Sequence, residues 1–161
     1  MSAESRSGVA TGGARPVPPP PAAGASWEVF TRGDARWLRG RGCTPEVAFE
    51  QAAVALCARV TDPAAVEVHE EVPVACEPGD LDGLLADWLR AVVHLMASRQ
   101  LRFHCFVVRM DGRRLFGSAF GEPLDPVRHG ARVRVRGVTV SGPRVRRGAD
   151  GQWTAECEVE V

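Results

Sequence analysis

The stretch DLDGLLADWLRAVVHLM, residues 80–96, constrains the fold of this chain more than any other. Leu81, Leu84, Leu85, Trp88, Leu89, Val92, Leu95 and Met96 recur at the spacing of one helical face. Asp80 stands where an N-cap belongs, with a carboxylate that can accept from the free backbone N–H groups of the first turn. A helix with one apolar stripe has to bury it against another layer. Residues 44–60 read as a second helix. Thr44 is its cap, and Pro45 takes the first helical position, where a missing N–H costs nothing. Phe49, Ala52, Ala53, Leu56 and Val60 form its apolar stripe.

The layer these helices need is written in period two. SWEVF and ARWLRGRG read as a strand pair and VEVHEEVPVACE as a strand. LRFHCFVVRM and RRLFGSAF flank a hairpin turn at Asp111-Gly112. RVRVRGVTV, PRVRR and, after a GADG turn, WTAECEVEV complete the set. Two main helices packed on a largely antiparallel, mixed β-sheet make an α+β two-layer sandwich. Residues 1–25, with a PPPP run at Pro18 to Pro21 and almost nothing to bury, read as a disordered Pro/Ala/Gly-rich tail. The folded domain is expected over residues 26–161, a length suited to a single core.

Composition narrows the function by exclusion. Acidic and basic residues balance at 20 each, so only the distribution of charge can point to a partner. All the basic residues are arginine, and Lys, Ile, Asn and Tyr are absent. Those four have AT-rich codons, so a GC-rich genome explains the bias and an Arg can stand where a Lys would serve. The five cysteines form no CxxC or zinc spacing and read as reduced, packed thiols. The start MSAESRSGVATGG has no apolar signal region, and a cytoplasmic protein is expected. HExxH, Walker and GxGxxG patterns are missing, and GSAFG sets its serine one residue early for a nucleophile elbow. No enzyme is expected.

Two features rise above this background. From Arg128 to Arg147 there are seven arginines and no acid. Arg132, Arg134 and Arg136 alternate with Val133 and Val135, so a strand would aim all three guanidiniums to one side, suited to phosphate or to an acidic protein surface. Cross-strand pairing is the alternative. Arg144 and Arg146 share a face with Glu156, Glu158 and Glu160, where an Arg–Glu ladder would form. The second feature is carboxylate at the domain's ends: Asp34 after the first strand, Glu160 near the last residue, and a terminal carboxylate at Val161. Convergence of such oxygens would suit a hard cation.

Several segments, in order and at matching spacing, resemble the archease family over roughly residues 27–161. TPEVAFEQAAVAL resembles its first helix, DLDGLLADWLRAVVHLMASRQLRF its second helix and following strand, and GEPLDPVRH its corner. GVT follows His129 at the distance of the family's KA(V/I)TYH strand, and DGQWTAECEVEV resembles its closing strand. The resemblance implies a non-enzymatic protein that promotes guanylylation and turnover of the GTP-dependent tRNA-splicing RNA ligase, with a bound divalent cation, typically calcium. It implies Asp34, Glu160 and Val161 as metal ligands, with His129 and the Arg132, Arg134, Arg136 strand on the surface that meets the partner. The alternative is a metal-free relative that binds RNA or a protein through that arginine face. The family's HTAD motif is TRGD here, its terminal Asp is Glu160, its strand Lys is Arg136, and TYH is Thr139, Val140, Ser141. Counting back from the first helix without gaps puts Ala35 at the metal position. Asp34 takes that position only with a one-residue insertion, such as a β-bulge.

Overall fold

The computed structural model describes residues 15–130 and 135–160. In chain order these form β1 (Ser26–Arg32), β2 (Ala35–Gly42), α1 (Pro45–Ala58), β3 (Glu70–Cys76), α2 (Leu81–Ser98), β4 (Leu101–Asp111), β5 (Arg114–Pro123), α3 (Pro126–His129), β6 (Thr139–Arg147) and β7 (Trp153–Glu160). The caps are those the residue types dictate. Thr44 accepts from the Val47 N–H at 3.2 Å, and Asp80 accepts from the Gly83 N–H at 3.0 Å.

The fold is α+β, but its strands make two sheets rather than one. β1-β2-β7-β6 form a four-stranded sheet and β3-β5-β4 a three-stranded sheet. Every pairing among the described residues is antiparallel, so no mixed sheet is found there. Both helices touch strands of both sheets. Sequence missed this because α1 carries more than a stripe: Ala52 through Cys57 are all buried, which covers every side of a helix. Small alanines let β2 lie on one side of α1 and β4 on another. Gly40 and Gly42 face α1 from β2, and a Cβ on either would come closer than 3.0 Å to atoms of the helix.

α2 buries Leu84, Leu85, Trp88, Leu89, Val92 and Met96 and leaves Asp87, Arg90 and His94 in solvent. Both tight hairpins turn on a glycine at their first central position. Gly33-Asp34 joins β1 to β2, and Gly112-Arg113 joins β4 to β5, one residue later than the Asp111-Gly112 turn expected. φ is +63° at Gly33 and +62° at Gly112, as a type II′ turn demands of its first residue.

Residues 1–14 of the expected tail lie outside the described residues, and residues 15–25 hold no helix or strand. Pro18 to Pro21 line a hollow with Glu50, Gln51 and Val54 of α1 and His104, Cys105 and Phe106 of β4. Proline's fixed φ lowers the entropy lost on such seating. All five cysteines are free. Burial pushes the Cys57 thiol up to about 12 and those of Cys76, Cys105 and Cys157 to about 11, which leaves these four as unreactive packing groups.

Candidate functional site

Asp34 and Glu160 come together at one end of the four-stranded sheet. β2 pairs with β7 through Arg36 opposite Val159, so the β1–β2 turn that carries Asp34 lies beside the end of β7. There a cleft of about 500 Å3 is lined by Asp34, Ala35, Arg36, Arg59, Glu158, Val159 and Glu160. Val161, the third ligand implied by resemblance, lies outside the described residues. The bulge invoked to register Asp34 is not formed, because β1 pairs with β2 without a shift from Ser26–Arg41 to Arg32–Ala35. Asp34 is instead the second residue of the turn itself, and it lines the cleft together with Ala35.

Arg36 and Arg59 of this cleft went unnoticed in the sequence, and Glu158 was read there only as a ladder partner. Arg36 shares the phase of Leu38, which is fully buried against the helices, so the strand turns it toward the end of α1. Arg59 caps that end, and its Nε is buried with no hydrogen-bond partner among the described residues. Glu158 shares the phase of Glu160. The donors are carboxylate oxygens, the type a hard cation prefers, with two guanidiniums close by. The cleft therefore offers donors of the type a hard cation takes.

The corner GEPLDPVRH forms a different kind of site. Asp125 caps α3, accepting from the Val127 and Arg128 N–H groups at 3.0 and 3.3 Å. Glu122, only 3% exposed, is the hub. Arg128 donates to its two oxygens at 2.9 and 2.7 Å, and the Glu67 N–H donates to it at 2.6 Å. His129 is buried beneath. Its Nδ1 accepts from the Asp125 N–H at 2.9 Å, so its proton sits on Nε2 and faces Glu122 at 3.1 Å. This corrects the expectation that His129 meets a partner, since both ring nitrogens are engaged in the interior. The donors of Glu67, His69 and Glu122 lie within 4.8 Å of one another, a spacing that would suit a metal. Arg128 already supplies the cation there, so the cluster is an ion-paired brace.

Hydrogen bonding to Arg128, against the cost of burial, holds the Glu122 carboxyl down at about 2. Its folded value lies below the unfolded one, so the brace contributes fully above the ordinary carboxylate range and is lost as pH falls toward 2. Glu122→Gln is expected to lose about 2–3 kcal/mol at pH 7, less than a fully buried pair because Arg128 is 41% exposed. Urea unfolding at pH 7 and pH 3 checks this: the wild type should weaken across that interval more than the variant does.

Arg132 and Arg134 lie outside the described residues. Residues 135–137 form a 3-10 turn, not the expected strand, and β6 begins at Thr139. Val135 and Val138, both buried, explain the turn: their spacing of three suits one tight turn against α2 better than a strand's alternation. Arg136 therefore does not continue a strand row.

An α+β protein of two helices touching two antiparallel sheets, with an acidic cleft where the first hairpin meets the last strand, defines the class. The model of the Archease protein family matches residues 32–161, and the chain belongs to that family. Protein archease of Methanopyrus kandleri is 39% identical over 122 residues, covering 73% of this chain and 86% of the relative. That of Pyrococcus furiosus is 31% identical over 139 residues, covering 84% and 98%. The solution structure of Methanobacterium thermoautotrophicum protein 1598 matches with a TM-score of 0.66 over 84% of this chain and 99% of that one. At 24% identity that match supports the fold alone.

Proposed function

We propose that this protein is a non-enzymatic activator of a GTP-dependent tRNA-splicing RNA ligase, acting in the cytoplasm with a divalent cation, calcium first among candidates. The observation that supports it is the meeting of Asp34 and Glu160, from opposite ends of the domain, on one cleft. A bound cation would supply concentrated positive charge at the sheet's end. Asp34 is carried by a hairpin turn and Glu160 by a strand held between β2 and β6, so both carboxylates sit on backbone already fixed by sheet pairing. Glu158, Arg36 and Arg59 set the local charge. No helix is long and apolar enough to cross a membrane among the described residues.

Calcium at about 100 times its dissociation constant should add roughly 2.7 kcal/mol to stability. In a domain of this size that raises the melting temperature by roughly 5–10 °C. Asp34→Ala and Glu160→Ala should each abolish the rise. A persistent rise in Asp34→Ala would move the ligand to another position. The ligase arm of the test adds the protein to the RNA ligase of its own organism and follows guanylylation. No acceleration by the calcium-loaded protein would overturn the activator role, whatever the metal result.

A further inference from the structure

A second site lies on the outer face of the four-stranded sheet, away from the acidic cleft. Five arginines, Arg39, Arg41, Arg144, Arg146 and Arg147, line one trough of about 320 Å3 with Gly148, Thr154 and Glu156. The strand register builds it. Arg39 and Arg41 stand two apart on β2, with Glu156 and Thr154 opposite them on β7. Arg144 and Arg146 stand opposite the same two residues on β6. Directly paired residues share a face, so four guanidinium side chains leave one surface in a two-by-two array. Strand geometry sets the array at roughly 7 Å along the strands and roughly 10 Å across them.

The Arg–Glu ladder expected between β6 and β7 is not what neutralises this face. Glu156, the trough's one acid, is held from the other side by Arg39 at 2.9 Å and Arg32 at 3.4 Å. Arg41, Arg144, Arg146 and Arg147 form no ion pair among the described residues. Four like charges so close together repel one another, and a bound anion relieves that repulsion.

We propose that this trough binds the phosphodiester backbone of a single nucleic-acid strand, taking two successive phosphates between the β2 and β6 arginines. Guanidinium forks match phosphate oxygens in pairs. An acidic protein is the poorer occupant, because protein interfaces bury an apolar centre and the trough offers no exposed apolar side chain. Beyond Arg39 the same face continues into Phe30 and Trp37, paired across β1 and β2, beneath the guanidiniums of Arg39 at 4.3 Å and Arg32 at 4.5 Å. These guanidiniums already cover the two rings, so the site recognises the phosphate backbone rather than stacked bases. The site uses none of the cleft's residues and stands independently of the cation.

The test is fluorescence anisotropy with a labelled ten-nucleotide oligouridylate, titrated at several salt concentrations against the full chain. Saturable binding that weakens with salt is expected. Arg144→Ala with Arg146→Ala should weaken it at least roughly tenfold and flatten the log–log salt slope by about 1.4, the loss of two phosphate contacts. Both side chains are exposed, so the melting temperature should hold, which separates lost binding from lost folding. The control pair Arg109→Ala with Arg114→Ala, exposed on the other sheet, should change neither quantity. Equal weakening by the control pair would overturn the proposal, as would an unchanged slope or tighter binding of a ten-residue polyglutamate than of the oligonucleotide.

Discussion

Trp88→Ala is expected to lose about 3–5 kcal/mol, the range of a large buried aromatic cut back to Cβ. That should lower the melting temperature by roughly 10 °C or more in a domain of this size. Trp88 is 0% exposed, and its indole N–H donates to the Phe49 carbonyl of α1 at 3.0 Å. Its ring meets Phe106 of β4 edge-on, with centroids 5.6 Å apart and planes at 82°. Gly117 of β5 leaves room for the ring: a Cβ there would approach it closer than 3.0 Å. One side chain thus ties α2 to α1 and to the three-stranded sheet. Trp88→Phe keeps most of the ring and loses the hydrogen bond, so it should cost about 1–2 kcal/mol. Thermal melts of the two variants test the assignment. Near-neutral Trp88→Ala would mean that α2 turns another face inward.

Trp88 was legible because a helix writes its buried face every three or four residues, and that spacing survives in any context. The first strand pair and both long-helix caps were legible for the same local reason: alternation in SWEVF and ARWLRGRG, and the caps Thr44-Pro45 and Asp80, act within a few residues of themselves. Division of the strands into two sheets was not legible. It depends on which strand lies beside which, and β2 pairs with β7 from the far end of the chain. The 3-10 turn at 135–137 was hidden by its own alternation, since RVRVRG satisfies period two whether or not a neighbouring strand receives it.

The sites divide along the same line. Asp34 and Glu160 could be singled out by resemblance, but their meeting rests on the β2–β7 register. The buried part of His129 could have been suspected from the corner's composition. A histidine seven residues from Glu122, after two prolines and a capping Asp125, has a short tether to a carboxylate. Its tautomer, and so its role as an interior brace, needs the Asp125 N–H that only the folded corner supplies. Arginines of the trough were visible as residues and misassigned in their partners. The sequence sets Arg144 and Arg146 against Glu156, Glu158 and Glu160 across one hairpin, while Arg39, from a distant strand, takes the Glu156 carboxylate.

Gly40→Ala is expected to destabilise by more than about 3 kcal/mol, the upper range for an overpacked core, through a single added methyl. Gly40 lies where β2 crosses α1, and a Cβ there would fall closer than 3.0 Å to the Ala48 carbonyl oxygen, the Ala52 nitrogen and the Gln51 carbonyl carbon. These are backbone atoms inside a hydrogen-bonded helix, so no rotamer can relieve the clash. Strand and helix have to part. Gly33→Ala makes the contrast, since nothing lies within 4 Å of its Cβ and only its φ of +63° opposes the change. It should cost about 1–2 kcal/mol, the penalty for an L-residue in that region. The difference reaches the cleft, because α1 packed on β2 is what brings Arg59 beside Arg36 and Asp34. Gly40→Ala should therefore weaken calcium binding in whatever fraction still folds, without altering any side chain that lines the cleft. A Gly40→Ala protein that melts with the wild type and binds calcium equally well would mean that the helix does not rest on β2 at this distance. The cleft between them would then need another shape.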